Sequence, residues 1–228
     1  MRKLLTLTAI LALPLAFAAC DDDDDSNPTT PQQETAKVMA VHTSPDAPGV
    51  DLYVDGAKVG TNLTFPNNTP YLTVEAGTRN VKVNVTGTAT TAIEANLPIA
   101  KNKNYSVFAV DEVANIDALV IEDNLAAPAA GKAHVRFIHL SPDAPAVDIA
   151  LDGGAVVFAN KAFREFTAFT PLDAGTYDLE VRVAGTTTVA LDLDPITLNA
   201  GKVYTVFAKG LLAGAGDQAL GAQIIVNK

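Results

Sequence analysis

The chain has no tryptophan and one cysteine among its 228 residues. A single cysteine excludes an intrachain disulfide, and three histidines leave little from which to build a zinc or iron–sulfur centre. Positive charge is scarce as well: 16 Lys and Arg stand against 26 Asp and Glu, a formal charge of −10 with a pI near 4.6. That balance argues against binding nucleic acid by phosphate neutralisation. Charged residues reach only 18% against 48% apolar, which excludes a mainly disordered chain, and 15 glycines without a triplet period exclude collagen. After the first twenty residues, no apolar run approaches the roughly 20 residues of a membrane-spanning helix.

What is present begins with an address. Arg2 and Lys3 precede an apolar run from Leu4 to Ala19, broken only by Thr6, Thr8 and Pro14. At about 15 residues the run has signal-peptide length. It ends in Leu15-Ala16-Phe17-Ala18-Ala19-Cys20, which resembles the lipobox of bacterial lipoproteins, with Phe17 where that pattern prefers Leu. The resemblance implies a signal peptide over 1–19, cleavage before Cys20, and a diacylglycerol on its thiol. The alternative is an ordinary secretory signal cut after Ala19. Acyl chains contribute about 0.8 kcal/mol per buried CH₂, so a multiply acylated Cys20 anchors the chain to a membrane without a helix.

Residues 20–36 read as a flexible linker, since Asp21 to Asp25 repel one another and the following Pro/Thr/Gln stretch has no apolar period. Aspartate next to a lipidated cysteine resembles an inner-membrane retention signal in some bacteria, and an acidic cluster there resembles a surface-export signal in others. The expected location is therefore the cell envelope outside the cytoplasm, on the periplasmic face or the cell surface. Without Arg2, Lys3, Asp21–Asp25 and Glu34, 14 basic groups face 20 acidic ones, so much of the acidity belongs to the tether.

The rest of the chain is one unit written twice. His42-Thr-Ser-Pro-Asp-Ala-Pro-Gly-Val-Asp-Leu-Tyr-Val-Asp-Gly56 matches His139-Leu-Ser-Pro-Asp-Ala-Pro-Ala-Val-Asp-Ile-Ala-Leu-Asp-Gly153 at ten of 15 positions. Glu75-Ala-Gly-Thr matches Asp173-Ala-Gly-Thr, and Tyr105-Ser-Val-Phe-Ala109 matches Tyr204-Thr-Val-Phe-Ala208. Offsets of 97 to 99 residues mean duplication with small loop differences. Alternation in Val50/Leu52/Val54 and Val81/Val83/Val85, repeated in the second copy, has the period of half-buried strands. Strands are expected near 37–43, 50–55, 57–65, 70–75, 79–86, 89–96, 103–110 and 116–122, and again in the second copy. Consecutive Val and Phe in Tyr105–Ala109 and Tyr204–Ala208 predict a central strand covered on both faces. Leu211 to Ala222, with three glycines, reads as a loop rather than a helix.

The predicted fold is all-β: two tandem antiparallel β-sandwiches of immunoglobulin-like layout, with a barrel as the alternative. The domains are expected over 37–123 and 132–228, joined by the short Ala/Pro linker 124–131. The duplicated His-x-Ser-Pro-Asp-Ala-Pro-x-Val-Asp block resembles the start of the bacterial DUF4397 domain, a family without an assigned function. The resemblance implies an envelope β-sandwich module, often in tandem, and brings no catalytic residues.

Candidate chemistry is sparse. In the Ser-Pro-Asp-Ala-Pro turns, Asp46 and Asp143 are placed to close Asx turns on the backbone two residues on. The functional rival is a ligand pocket at one end of each sandwich. There a hairpin brings His42 close to Asp51 with Asp46 nearby, and His139, Asp143 and Asp148 repeat the set. Calcium takes six to eight oxygens, more than this cluster supplies, so neither a metal nor another cofactor is expected. Ser44 and Ser141 lie two residues from both a histidine and an aspartate, but one tight loop does not give triad geometry. Gly-x-Ser-x-Gly and His-Glu-x-x-His are absent, so no catalytic residue is assigned. The expected role is a non-enzymatic, lipid-anchored binding or scaffolding module with an extracytoplasmic protein or glycan as partner. A carbohydrate-binding module is the alternative, and an envelope hydrolase a remote one.

Overall fold

A computed structural model describes residues Gln33–Lys228, which form one compact unit. The signal peptide, Cys20 and the aspartates Asp21–Asp25 lie outside the described residues. Two pairs of four-stranded sheets, one pair from each copy of the repeat, and one two-stranded sheet make up the unit.

In the first copy the strands are β1 (Thr35–His42), β2 (Val50–Val54), β3 (Ala57–Leu63), β4 (Leu72–Glu75), β5 (Gly77–Val85), β6 (Thr91–Ile99), β7 (Asn104–Val110) and β8 (Asp117–Glu122). They pair in the orders β3-β2-β5-β6 and β4-β1-β7-β8. The second copy supplies β9 (Lys132–His139), β10 (Val147–Leu151), β11 (Val156–Lys161), β12 (Thr170–Asp173), β13 (Gly175–Tyr177), β14 (Leu179–Val183), β15 (Val189–Asp192), β16 (Ile196–Leu198), β17 (Val203–Lys209) and β18 (Gly221–Val226). Its orders are β11-β10-β14-β15 and β12-β9-β17-β18, with a small β13-β16 pair. Leu211 to Leu220 is a loop with one 3₁₀ turn at Gly216–Gln218.

The all-β tandem sandwich expected from the sequence is what forms, with a strand order of its own. An immunoglobulin sandwich keeps its first two strands in one sheet. Here β1 lies between β4 and β7, and it runs parallel to β7; β9 repeats this against β17. The cause is local. Pro45 and Pro48 each fix φ and push the preceding residue to extended geometry, so the chain leaving His42 arches to the opposite sheet. The hairpin expected between His42 and Asp51 is therefore replaced by an arch between layers.

Each sandwich has a core between its own sheets: Val50, Leu52, Val83 and Ile93 in the first, Val147, Ile149, Phe158 and Val181 in the second. A third core joins the copies. Met39, Val41, Phe108 and Ile121 pack on Ile138, Leu140, Phe207 and Ile225. Phe108 and Phe207 occupy the same position in the two repeats and meet edge to face, centroids 6.3 Å apart. The second apolar face of β7 and β17 is thus covered by the other repeat.

Candidate functional site

The two Ser-Pro-Asp-Ala-Pro loops have parallel internal wiring. His42 is buried and its Nε2 lies 3.1 Å from the Pro48 carbonyl; His139 Nε2 lies 3.0 Å from that of Pro145. A carbonyl can only accept, so Nε2 carries the proton and Nδ1 is left as an acceptor. In the second copy Nδ1 accepts the Ser141 N–H at 3.3 Å. Burial lowers the pKa of both imidazoles, partly opposed by these backbone bonds, which fits a neutral ring.

The aspartates face different partners. Asp46 accepts the backbone N–H of Val113 at 2.8 Å, and Asp143 that of Leu212 at 3.0 Å. Both therefore reach across to the loop after β7 or β17, instead of the backbone two residues on. Asp51 accepts from Asn62 N at 2.9 Å and Lys58 Nζ at 2.6 Å, ties that hold β3 to β2. The Lys58 bond, with the backbone donors, lowers its pKa to about 2. Asp148 accepts from Asn160 N at 2.6 Å and Gly185 N at 2.9 Å. Gly185 turns the chain at φ +72°, where a side chain is strained, so this carboxylate pins a glycine turn.

In each copy the three candidates bond different segments: the histidine a proline carbonyl of its own loop, the first aspartate the loop after β7 or β17, and the second aspartate β3 or β11, so most of their lone pairs and N–H groups are satisfied by the protein itself. Among the described residues no three His, Cys, Asp or Glu side chains gather as a metal ion requires. Ser44 and Ser141 are fully buried, and Ser141 Oγ donates to the Gly210 carbonyl at 2.7 Å. Neither hydroxyl is presented to a substrate.

The seam between the repeats holds a buried polar cluster that sequence reasoning passed over. Arg136 and Asp123 are buried and paired at 2.6 Å. Arg136 also donates to Thr205 Oγ1 at 2.8 Å and Ser106 Oγ at 3.1 Å, and its guanidinium lies 4.6 Å from the Phe169 ring centroid. Asp123 accepts from Ser106 and from Tyr71, each at 2.6 Å, while Asn227 bonds both Tyr71 and Thr205. Burial beside Asp123 pushes the Tyr71 phenol above its ordinary range and keeps it a donor. The signal was in the aligned repeats. Met39 stands where the second copy has Arg136, and Asn227 where the first has Asp123, so each copy contributes one member of the pair.

Comparison with known proteins gives one family. The family model described as "Domain of unknown function (DUF4397)" matches residues 36–150 and again 143–228. No curated protein matches the chain. Among solved structures, the crystal structure of CBMbc, a family CBM26 module of Amy13K from Eubacterium rectale in complex with maltoheptaose, is similar over 84% of this chain and 96% of that one. The identity is 10% and the TM-score 0.25.

Proposed function

The chain belongs to the DUF4397 family through both of its repeats, and from that membership we propose that it is a non-enzymatic binding or scaffolding protein of the cell envelope. Cys20 carries its lipid, residues 20–34 form the tether, since β1 already begins at Thr35 and buries Ala36, and the double sandwich is displayed outside the cytoplasm. The observation that carries this reading is the wiring of the candidate groups. His42, Asp46, Asp51 and their counterparts His139, Asp143 and Asp148 hold loops in place, and the only serines near them are buried. A body of this kind works by contact: rigid sheets hold loops, and loops meet a partner.

The partner is a protein rather than a glycan in this reading, because a chain without tryptophan and with 6% aromatics has few stacking platforms for sugar rings. Chemical crosslinking in intact cells, followed by recovery of the full-length chain, tests it. The expected result is a reproducible protein partner in the membrane fraction. Recovery with a polysaccharide alone would move the assignment to a carbohydrate-binding module.

A further inference from the structure

The two copies differ in how they end the sheets that meet at the seam. β8 and β18 are equivalent edge strands, each antiparallel to the central strand β7 or β17. β8 reads Asp117-Ala-Leu-Val-Ile-Glu122 and carries a carboxylate at each end, paired with Arg164 at 2.7 Å and Lys103 at 2.6 Å. Charges of this kind guard an edge against pairing with another chain. β18 reads Gly221-Ala-Gln-Ile-Ile-Val226, and from Gln218 to Asn227 there is no charge and no proline.

The edge of β18 is also open on one side. The Asn227 N–H bonds the Val203 carbonyl, so alternation along the strand turns the backbone groups of Ala222, Ile224 and Val226 outward. Their side chains line a groove of about 630 Å³ with Leu191, Leu193 and Ile196. Val226 is 57% exposed and Ile224 36%. In the first copy the facing strand β6 is unbroken from Thr91 to Ile99. In the second it is interrupted over Leu193-Asp194-Pro195 into β15 and β16, and Pro195 has no N–H for a ladder there.

We propose that β18 is a self-association edge, and that its occupant is β18 of a second copy of this chain, antiparallel about a two-fold axis through Ile224. This goes beyond the proposed envelope role and does not depend on who the external partner is. A two-fold contact must be self-complementary, since each residue meets its own counterpart set. β18 satisfies this: Ile224 faces Ile224 of the second copy, Ala222 faces Val226 and Val226 faces Ala222. No charge is placed opposite a like charge, and the three outward residues of each strand supply a full ladder. The same operation on β8 crowds Asp117 and Glu122 of both copies into one short ribbon, which like-charge repulsion disfavours. The duplicated unit has thus kept one edge guarded and left the other free to pair.

The test uses the full chain in a mild detergent. Ile224→Cys, treated with a short bis-maleimide, is expected to give a crosslinked dimer, whereas Val120→Cys on β8 and the unaltered chain give none. Ile224→Lys sets two cations against each other at the axis, and the dimer expected for the unaltered chain by sedimentation velocity should be lost while circular dichroism still reports a folded chain. If Ile224→Lys does not fold, the Ile224→Cys and Val120→Cys comparison decides alone. A monomer at the highest soluble concentration with no crosslink at position 224 overturns the proposal. So does a position-224 adduct to a different protein, which would make β18 an acceptor for a foreign strand.

Discussion

Arg136 of the second repeat closes on Asp123 of the first at 2.6 Å, and both side chains are withdrawn from water. A buried pair of this sort adds little over a well-packed apolar pair, but removing one partner strands a charge. Its placement bears on how the duplication works. A pairing of two first copies would set Asp123 against Met39, and a pairing of two second copies would set Arg136 against Asn227. The seam therefore specifies unlike copies.

Arg136→Met, which installs the first copy's residue, is expected to cost about 3–5 kcal/mol, and Asp123→Asn a similar amount. The double variant should recover most of the loss. A double-mutant cycle by urea unfolding measures the coupling; two additive losses would contradict the linkage drawn here. Unfolding should also be a single transition, because the copies share a core.

Stability should fall in acid in two stages. Burial holds the His42 and His139 pKa values below the ordinary 6.5, so the unfolded chain takes up protons before the folded one. Stability is complete above that pH and declines as pH drops through it. Asp51, held at about 2 chiefly by Lys58, adds a second decline as pH falls below its ordinary 3.8. Melting temperature followed from pH 8 downward checks this, and replacing both histidines with Asn should flatten the first stage.

Asp148→Ala leaves the N–H groups of Asn160 and Gly185 without their acceptor and should cost about 1–3 kcal/mol. Asp148→Asn, which retains one acceptor oxygen, should cost less. Equal losses by denaturant titration would argue against the acceptor role.

Cys20→Ala should release the protein in soluble form or block its processing. Fractionation of cells decides, and continued membrane retention of correctly cleaved chain would count against a lipid anchor.

Much of the fold was legible because duplication doubles every signal. The alternation at Val50/Leu52/Val54 and again at Val147/Ile149/Leu151 marked equivalent strands, and the Tyr-x-Val-Phe-Ala strands announced a second covered face. The strand order was not legible, since alternation says which face a residue takes and nothing about which strand lies beside it. The same limit produced the supposed His42–Asp51 hairpin: neighbours along the chain were assigned to one sheet, and two prolines send them to opposite sheets. Arg136 escaped notice because a lone arginine in an apolar strand looks like a solvent-facing position. Only its alignment with Met39, beside that of Asp123 with Asn227, shows that the two departures compensate each other.

The central claim, that the His, Ser and Asp groups of the duplicated loops maintain structure and perform no reaction, is tested most directly by a broad esterase, glycosidase and protease panel on the full chain beside its His42→Ala and His139→Ala variants. The account predicts no turnover from any of the three proteins, with the variants differing from the parent only in melting temperature. Turnover by the parent that is lost in either variant while its fold persists would contradict it.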